Sequence, residues 1–164
     1  MTPTYSTTKL AAWAAVALAA EFTLFERWSV KGARAEVLLA LACFAALFAK
    51  EARQGLLACW LIGAMKDLAS AGPLGLHALL FVAAGWIVLE IRSVLFPESP
   101  LTQLAVAFVA TCWIHAAAAT AVALGAGGIP LGVVLLKTLL SALLTAVLAP
   151  VLHALLRSAR WVVR

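Results

Sequence analysis

The chain has 164 residues, of which 65% are apolar and only 12% are charged, and its mean hydropathy is +1.07. Soluble domains are about 45–50% apolar and about 25% charged, so this composition excludes an ordinary soluble protein and predicts an integral membrane protein. Basic flanks on an anionic membrane explain the net charge of +5 more simply than nucleic-acid binding does. We therefore expect membrane lipid around one integral membrane domain that covers residues 1–164.

Long runs rich in Ala and Leu, without strict alternation, predict an all-α polytopic helical bundle rather than a β-barrel. A helix of about 20 residues crosses the hydrocarbon core, so the length allows about six transmembrane helices. The first run contains Glu21 and lacks a clear cleavage site, which indicates a retained helix rather than a signal peptide. Charged, Pro-containing or Gly-rich breaks separate the predicted helices, which are 9–27, 35–50, 54–68, 73–95, 101–125 and 130–156.

Prolines indicate where two of the predicted helices begin or bend, and basic residues indicate the orientation of the chain in the membrane. Pro73 is expected near a helix start, and Pro150 is expected to kink the last helix or to mark where it leaves the membrane. With a cytoplasmic N-terminus, seven basic residues lie inside and three outside, which favours two cytoplasmic termini. The three outside are Arg27, Lys31 and Arg34, and the seven inside are Lys9, Lys50, Arg53, Arg92, Arg157, Arg160 and Arg164.

Ionisable residues inside the predicted spans gather in their outer half. Charges at that depth are costly, so each is a candidate for a functional role. Their grouping predicts an outward-facing polar cavity among the first, third, fourth and sixth helices. Glu90 and Arg92, near the inner end of the fourth helix, are the exceptions. The grouped residues are Glu21, Lys66, Asp67, His77, His115 and Lys137.

Each of these residues also has a structural interpretation. Lys66 is expected to snorkel to the interface, with an ion pair to Glu21 or Asp67 as the next option. Asp67 is expected to accept hydrogen bonds from the next helix start, and contact with a ligand or ion is the alternative. Lys137, which lies in an apolar run, has Glu21 as a plausible partner. His77 and His115 are interpreted as satisfied buried imidazoles, because no chain of acidic residues suggests proton transfer.

The sequence contains no motif for a catalytic site, a metal site or a cofactor. Neither a catalytic triad pattern, a zinc-protease motif nor a phosphate loop is present. Cys43, Cys59 and Cys112 lie in apolar runs with spacings that match no metal pattern, and they are interpreted as buried small residues. The chain is therefore predicted not to be an enzyme.

One segment resembles the rod shape-determining protein MreD family. In that family a glycine-rich third helix ends in an aspartate, and a short turn then leads to Pro-Leu-Gly and a His/Ala/Leu stretch. Lys66 and Trp60 depart from the usual residues of the family. The matching positions are Gly55, Gly63, Asp67, Pro73, Leu74, Gly75, Leu76, His77, Ala78 and Leu79.

The resemblance implies a non-enzymatic scaffold of cell-wall elongation and rod shape in the bacterial inner membrane. It implies a fold similar to the substrate-binding component of energy-coupling-factor transporters, whose cavity opens outward. The implied partner is an MreC-like single-span protein, with MreB, RodA and a class B penicillin-binding protein linked indirectly. Self-association as a homodimer stays open. The alternative function is the small-molecule-binding component of a membrane transporter, and an enzyme is the weakest of the three hypotheses.

Overall fold

Six α-helices form the chain, as the computed structural model shows for residues 4–5, 7–27, 32–70, 73–126, 131–158 and 162–163. Strands β1 (Thr4–Tyr5) and β2 (Val162–Val163) form a two-residue antiparallel pair near the ends of the chain. The prediction of an all-α bundle with six helices is confirmed. The helices are α1 Thr7–Arg27, α2 Val37–Leu47, α3 Ala52–Ala69, α4 Leu76–Ile91, α5 Pro100–Ala126 and α6 Leu131–Ser158.

In the described part of the chain, two segments are long and apolar enough to cross a membrane: Pro100–Thr120 in α5 and Gly132–Ser158 in α6. The shorter helices α2 and α4 are also strongly apolar. Large apolar side chains on α3, α4, α5 and α6 are exposed, as is expected of a surface that faces lipid. Pro150 lies inside α6, which continues to Ser158.

Helix α2 is the centre of the bundle. All 11 of its residues are buried, and it packs against each of the other five helices. At a rise of about 1.5 Å per residue it is about 16 Å long, which is roughly half of the hydrocarbon core. Non-helical backbone at membrane depth is tolerated only where protein surrounds it. The buried residues on either side of α2, among them Ala35 and Phe48, meet this requirement.

The observed helix ends differ from the predicted ones most at α2 and α4. Helix α2 begins at Val37 rather than 35, because Glu36 has non-helical dihedral angles and its N–H donates to Thr145 Oγ1 on α6. Helix α4 begins at Leu76 rather than 73, because Gly75 has a φ of +92°, a left-handed conformation that glycine adopts at no steric cost. The predicted breaks at 28–31, 71–72 and 127–130 lie outside the described residues, as do Arg160 and Arg164.

Helices α3 and α4 approach closely because glycines line their interface. A Cβ atom on Gly63 would lie 2.6 Å from Ala78 Cα and 2.7 Å from the His77 carbonyl oxygen. A Cβ atom on Gly85 would lie 2.5 Å from Cys59 Sγ. Small residues permit this kind of backbone contact between membrane helices. The close approach places the end of α3 directly against the start of α4, where the candidate site begins.

Candidate functional site

A buried ion-pair cluster lies between α1, α3 and the segment that leads into α2. Lys66 Nζ is 3.0 Å from Glu21 Oε1 and also contacts Glu36. Glu21 and Lys66 are 6% and 7% exposed, so both charges are almost completely removed from solvent. The ring of Phe81 has its centroid 5.8 Å from Lys66 Nζ. Buried charges require partners of this kind, and the removal of one partner leaves the others uncompensated.

The same cluster supports the beginning of α2. Glu21 Oε2 accepts a hydrogen bond of 2.9 Å from the backbone N–H of Leu38. Thr145 Oγ1 accepts one of 2.9 Å from the N–H of Glu36, and Ser141 Oγ accepts one of 3.3 Å from the N–H of Arg34. The first N–H groups of a helix have no partner within the helix. Side chains of α1 and α6 therefore satisfy backbone N–H groups at the start of α2 and in the segment before it.

Asp67 joins the end of α3 to the start of α4. Its Oδ2 atom accepts hydrogen bonds from the N–H groups of Gly75 at 3.0 Å and Ala78 at 2.9 Å. Its Oδ1 atom accepts a bond of 2.9 Å from the His77 N–H and lies 2.8 Å from His77 Nδ1. These are the bonds expected of a carboxylate at a helix start. They account for the spacing between the aspartate, the glycine and the histidine in this segment.

Lys66 and Asp67 thus serve different interfaces. Successive residues of a helix point about 100° apart, and the two side chains contact separate partners as that angle predicts. Lys66 faces α1 and the start of α2, whereas Asp67 faces α4. Pro73 is exposed in the turn before α4, where Gly75 occupies the position that precedes the helix.

A polar cavity of about 330 Å³ lies beside the cluster. Of the six ionisable residues that the sequence grouped, all but Asp67 line it: Glu21, Lys66, His77, His115 and Lys137. The cavity therefore involves α1, α3, α4, α5 and α6, together with the segment before α2. Glu90 and Arg92 line a separate cavity that also contains Lys50, at the C-terminal ends of α2 and α4.

The comparison with known families decides the identity of the chain. The model of the rod shape-determining protein MreD matches residues 9–159. The chain belongs to the MreD family. No curated protein and no solved structure gives a significant match.

Membership of the MreD family confirms the resemblance based on the segment between Gly55 and Leu79. It implies a role in the determination of rod shape. Together with the apolar helices, it identifies the chain as an integral membrane protein. In the described ranges, no group of three or more His, Cys, Asp or Glu side chains is arranged to hold a metal ion. Cys43 and Cys59 are buried, and Cys112 is partly exposed.

The structure corrects three interpretations of single residues. Lys66 does not snorkel, because its ammonium group is buried against Glu21 and Glu36. Lys137 lines the same cavity as Glu21, but the two do not form an ion pair in the part of the chain that the structure describes. His115 is not the satisfied imidazole that the sequence indicated, because its Nε2 lies 3.5 Å from Glu36 Oε1 and has no hydrogen-bond partner among the described residues.

Sequence reasoning missed Glu36, Ser141 and Thr145. Glu36 directly precedes the apolar run of α2, and its position next to that run could have identified it as a candidate. Ser141 and Thr145 are four residues apart on α6, so they lie on one face of that helix. Their hydroxyl oxygens accept hydrogen bonds from backbone N–H groups more than 100 residues earlier in the chain, and no local sequence pattern reveals such a contact.

Proposed function

We propose that the chain is a non-enzymatic scaffold of bacterial cell-wall elongation that binds an MreC-like single-span protein in the inner membrane. The match of the MreD family over residues 9–159 carries this proposal. Through that partner the scaffold would be linked to MreB, RodA and a class B penicillin-binding protein. The physical requirement is a surface within the membrane that accepts a transmembrane helix.

An apolar groove between α4 and α5 supplies such a surface. Its volume is about 170 Å³, and its lining is almost entirely apolar. Ala84 and Ala110 form buried parts of its floor, whereas Ile87, Val109 and Trp113 stand exposed at its sides. Small residues on the floor allow another helix to approach closely, and larger residues on the sides extend the contact.

The helix packing explains why this groove is open. Helix α4 packs most extensively against α3, and α5 packs most extensively against α6, so that α4 and α5 meet less closely. We assign the groove to the membrane span of the MreC-like partner. Lipid chains or a second copy of this chain would be the occupants if the assignment failed. Ala11, Ala15 and Ala19 form an exposed small-residue stripe on α1, which is the competing surface.

We also propose that both termini are cytoplasmic and that the chain is one membrane domain. Lys50 and Arg92 line a common cavity at one end of the bundle, in agreement with their assignment to the same side of the membrane. Ser93 is exposed near that end, whereas Ser70 lines the polar cavity at the other. In intact spheroplasts, an impermeant thiol reagent should label Ser70→Cys and not Ser93→Cys in a chain without other cysteines. The reverse labelling would overturn the orientation.

Replacement of the aromatic side chain in the groove should release the partner. Trp113 and Trp60 are 47% and 51% exposed, but only Trp113 lines the groove. We expect Trp113→Ala to reduce co-purification of the MreC-like protein by about tenfold, because aromatic anchors dominate binding at interfaces. Trp60→Ala, on α3, is the matched control and should leave recovery unchanged. Equal recovery of the partner with both variants would contradict the assignment of the groove.

A further inference from the structure

We propose that the polar cavity beside the start of α2 binds an anionic phosphate group through Lys137. The described lining contains three cations, Arg34, Lys66 and Lys137, and two carboxylates, Glu21 and Glu36. Both carboxylates contact Lys66. Neither carboxylate is therefore paired with Lys137. This inference does not depend on the proposed scaffold function.

Lys137 has no carboxylate partner among the described residues. It lies in the second turn of α6, and its exposed side chain lines the cavity together with His115. A charged side chain at membrane depth costs about 2.5–3.5 kcal/mol on insertion scales unless water or an opposite charge compensates it. An anion in the cavity would supply that compensation.

Ser141 adds a hydrogen-bond donor on the same side of α6. It follows Lys137 by four residues, so the two side chains are neighbours on one face of the helix. Its hydroxyl oxygen accepts the N–H of Arg34, and its own O–H has no acceptor in the described part of the chain. Ser141 is 1% exposed and lines the cavity. An ammonium group next to a hydroxyl donor suits a phosphate oxygen.

The cavity is large enough for such a group. Its volume of about 330 Å³ exceeds the space that a single water molecule requires. Phe22 and Ala69 contribute apolar surface to the lining, so the anion could be free phosphate or the headgroup phosphate of a lipid. Both sources present a phosphate group, and the experiment distinguishes between them.

The test measures thermal unfolding of the full chain in a neutral detergent. Inorganic phosphate is titrated against chloride at constant ionic strength, and phosphatidylglycerol is compared with phosphatidylcholine in mixed micelles. Binding only to the native state should raise the unfolding midpoint by roughly 5–10 °C at 100 times the dissociation constant. Stabilisation by phosphate supports a free anion, and stabilisation by phosphatidylglycerol alone supports a lipid headgroup.

Variants establish whether Lys137 is responsible. Lys137→Met should lose the stabilisation and Lys137→Arg should keep it, while Lys9→Met, which removes an exposed cation outside the cavity, should behave like the unchanged chain. Lys137→Gln replaces the methionine variant if that protein does not fold. The proposal is overturned if neither phosphate nor phosphatidylglycerol stabilises the unchanged chain. It is also overturned if the methionine or glutamine variant is stabilised equally.

Discussion

Lys66→Met should lower the free energy of unfolding by about 3–5 kcal/mol, because it leaves Glu21 and Glu36 buried without their shared cation. The start of α2 depends on the same cluster through the bond between Glu21 and the Leu38 N–H. The loss should therefore appear as a lower unfolding midpoint, measured by tryptophan fluorescence or circular dichroism in detergent. Arg53→Met is the matched control, because Arg53 is an exposed cation on the same helix.

A triple variant separates loss of the ion pairs from loss of packing. When Lys66→Met is combined with Glu21→Gln and Glu36→Gln, no charge remains in the cluster, and an amide oxygen can still accept the Leu38 N–H. Replacement of a whole buried ionic group is often close to neutral, so most of the lost stability should return. If the triple variant is no more stable than Lys66→Met alone, uncompensated charge is not the cause of the destabilisation.

Asp67→Asn should lower the free energy of unfolding by about 2–4 kcal/mol. Asp67 is 3% exposed and uses both carboxylate oxygens to accept N–H groups of α4. An amide has one acceptor oxygen, so at least one buried N–H group would face another donor. The expected structural result is a less protected first turn of α4, measurable by hydrogen exchange at His77 and Ala78.

The control for this prediction is Glu90→Gln. Glu90 is an exposed carboxylate near the other end of α4, and the same chemical change there should alter stability by less than about 0.5 kcal/mol. If hydrogen exchange at His77 and Ala78 is unchanged in Asp67→Asn, the carboxylate does not hold the junction between α3 and α4. It would also remove the physical explanation for the motif that relates the chain to the MreD family.

The sequence was sufficient to predict the six helices, because spans in lipid require long apolar runs with recognisable breaks. The turn role of Asp67 was also predictable, since a carboxylate shortly before Pro73 and Gly75 is typical of a helix junction. The shared depth of Glu21, Lys66 and Lys137 predicted that they face a common cavity, and the structure places all three in its lining.

Other features of the site depend on packing between distant parts of the chain. Glu36 was not selected, because its contact with Lys66 arises only when α3 packs beside the segment before α2. The hydroxyl bonds from Ser141 and Thr145 require α6 to lie against that segment. The groove between α4 and α5 could not be predicted from the sequence. Helices surrounded by lipid are apolar on all faces, so hydrophobic periodicity does not distinguish a helix face that contacts lipid from one that contacts a partner.

Site-specific photo-crosslinking in native membranes tests whether a partner span occupies the groove between α4 and α5. A photoreactive residue would replace Val109 in the groove, Ala15 on the α1 stripe or Leu61 on α3, which are all exposed positions. We predict that mass spectrometry finds an MreC-like single-span protein attached at Val109 and not at Leu61. Attachment at Ala15 instead, or only lipid or a second copy of this chain at Val109, would contradict the assignment of the groove to the partner span.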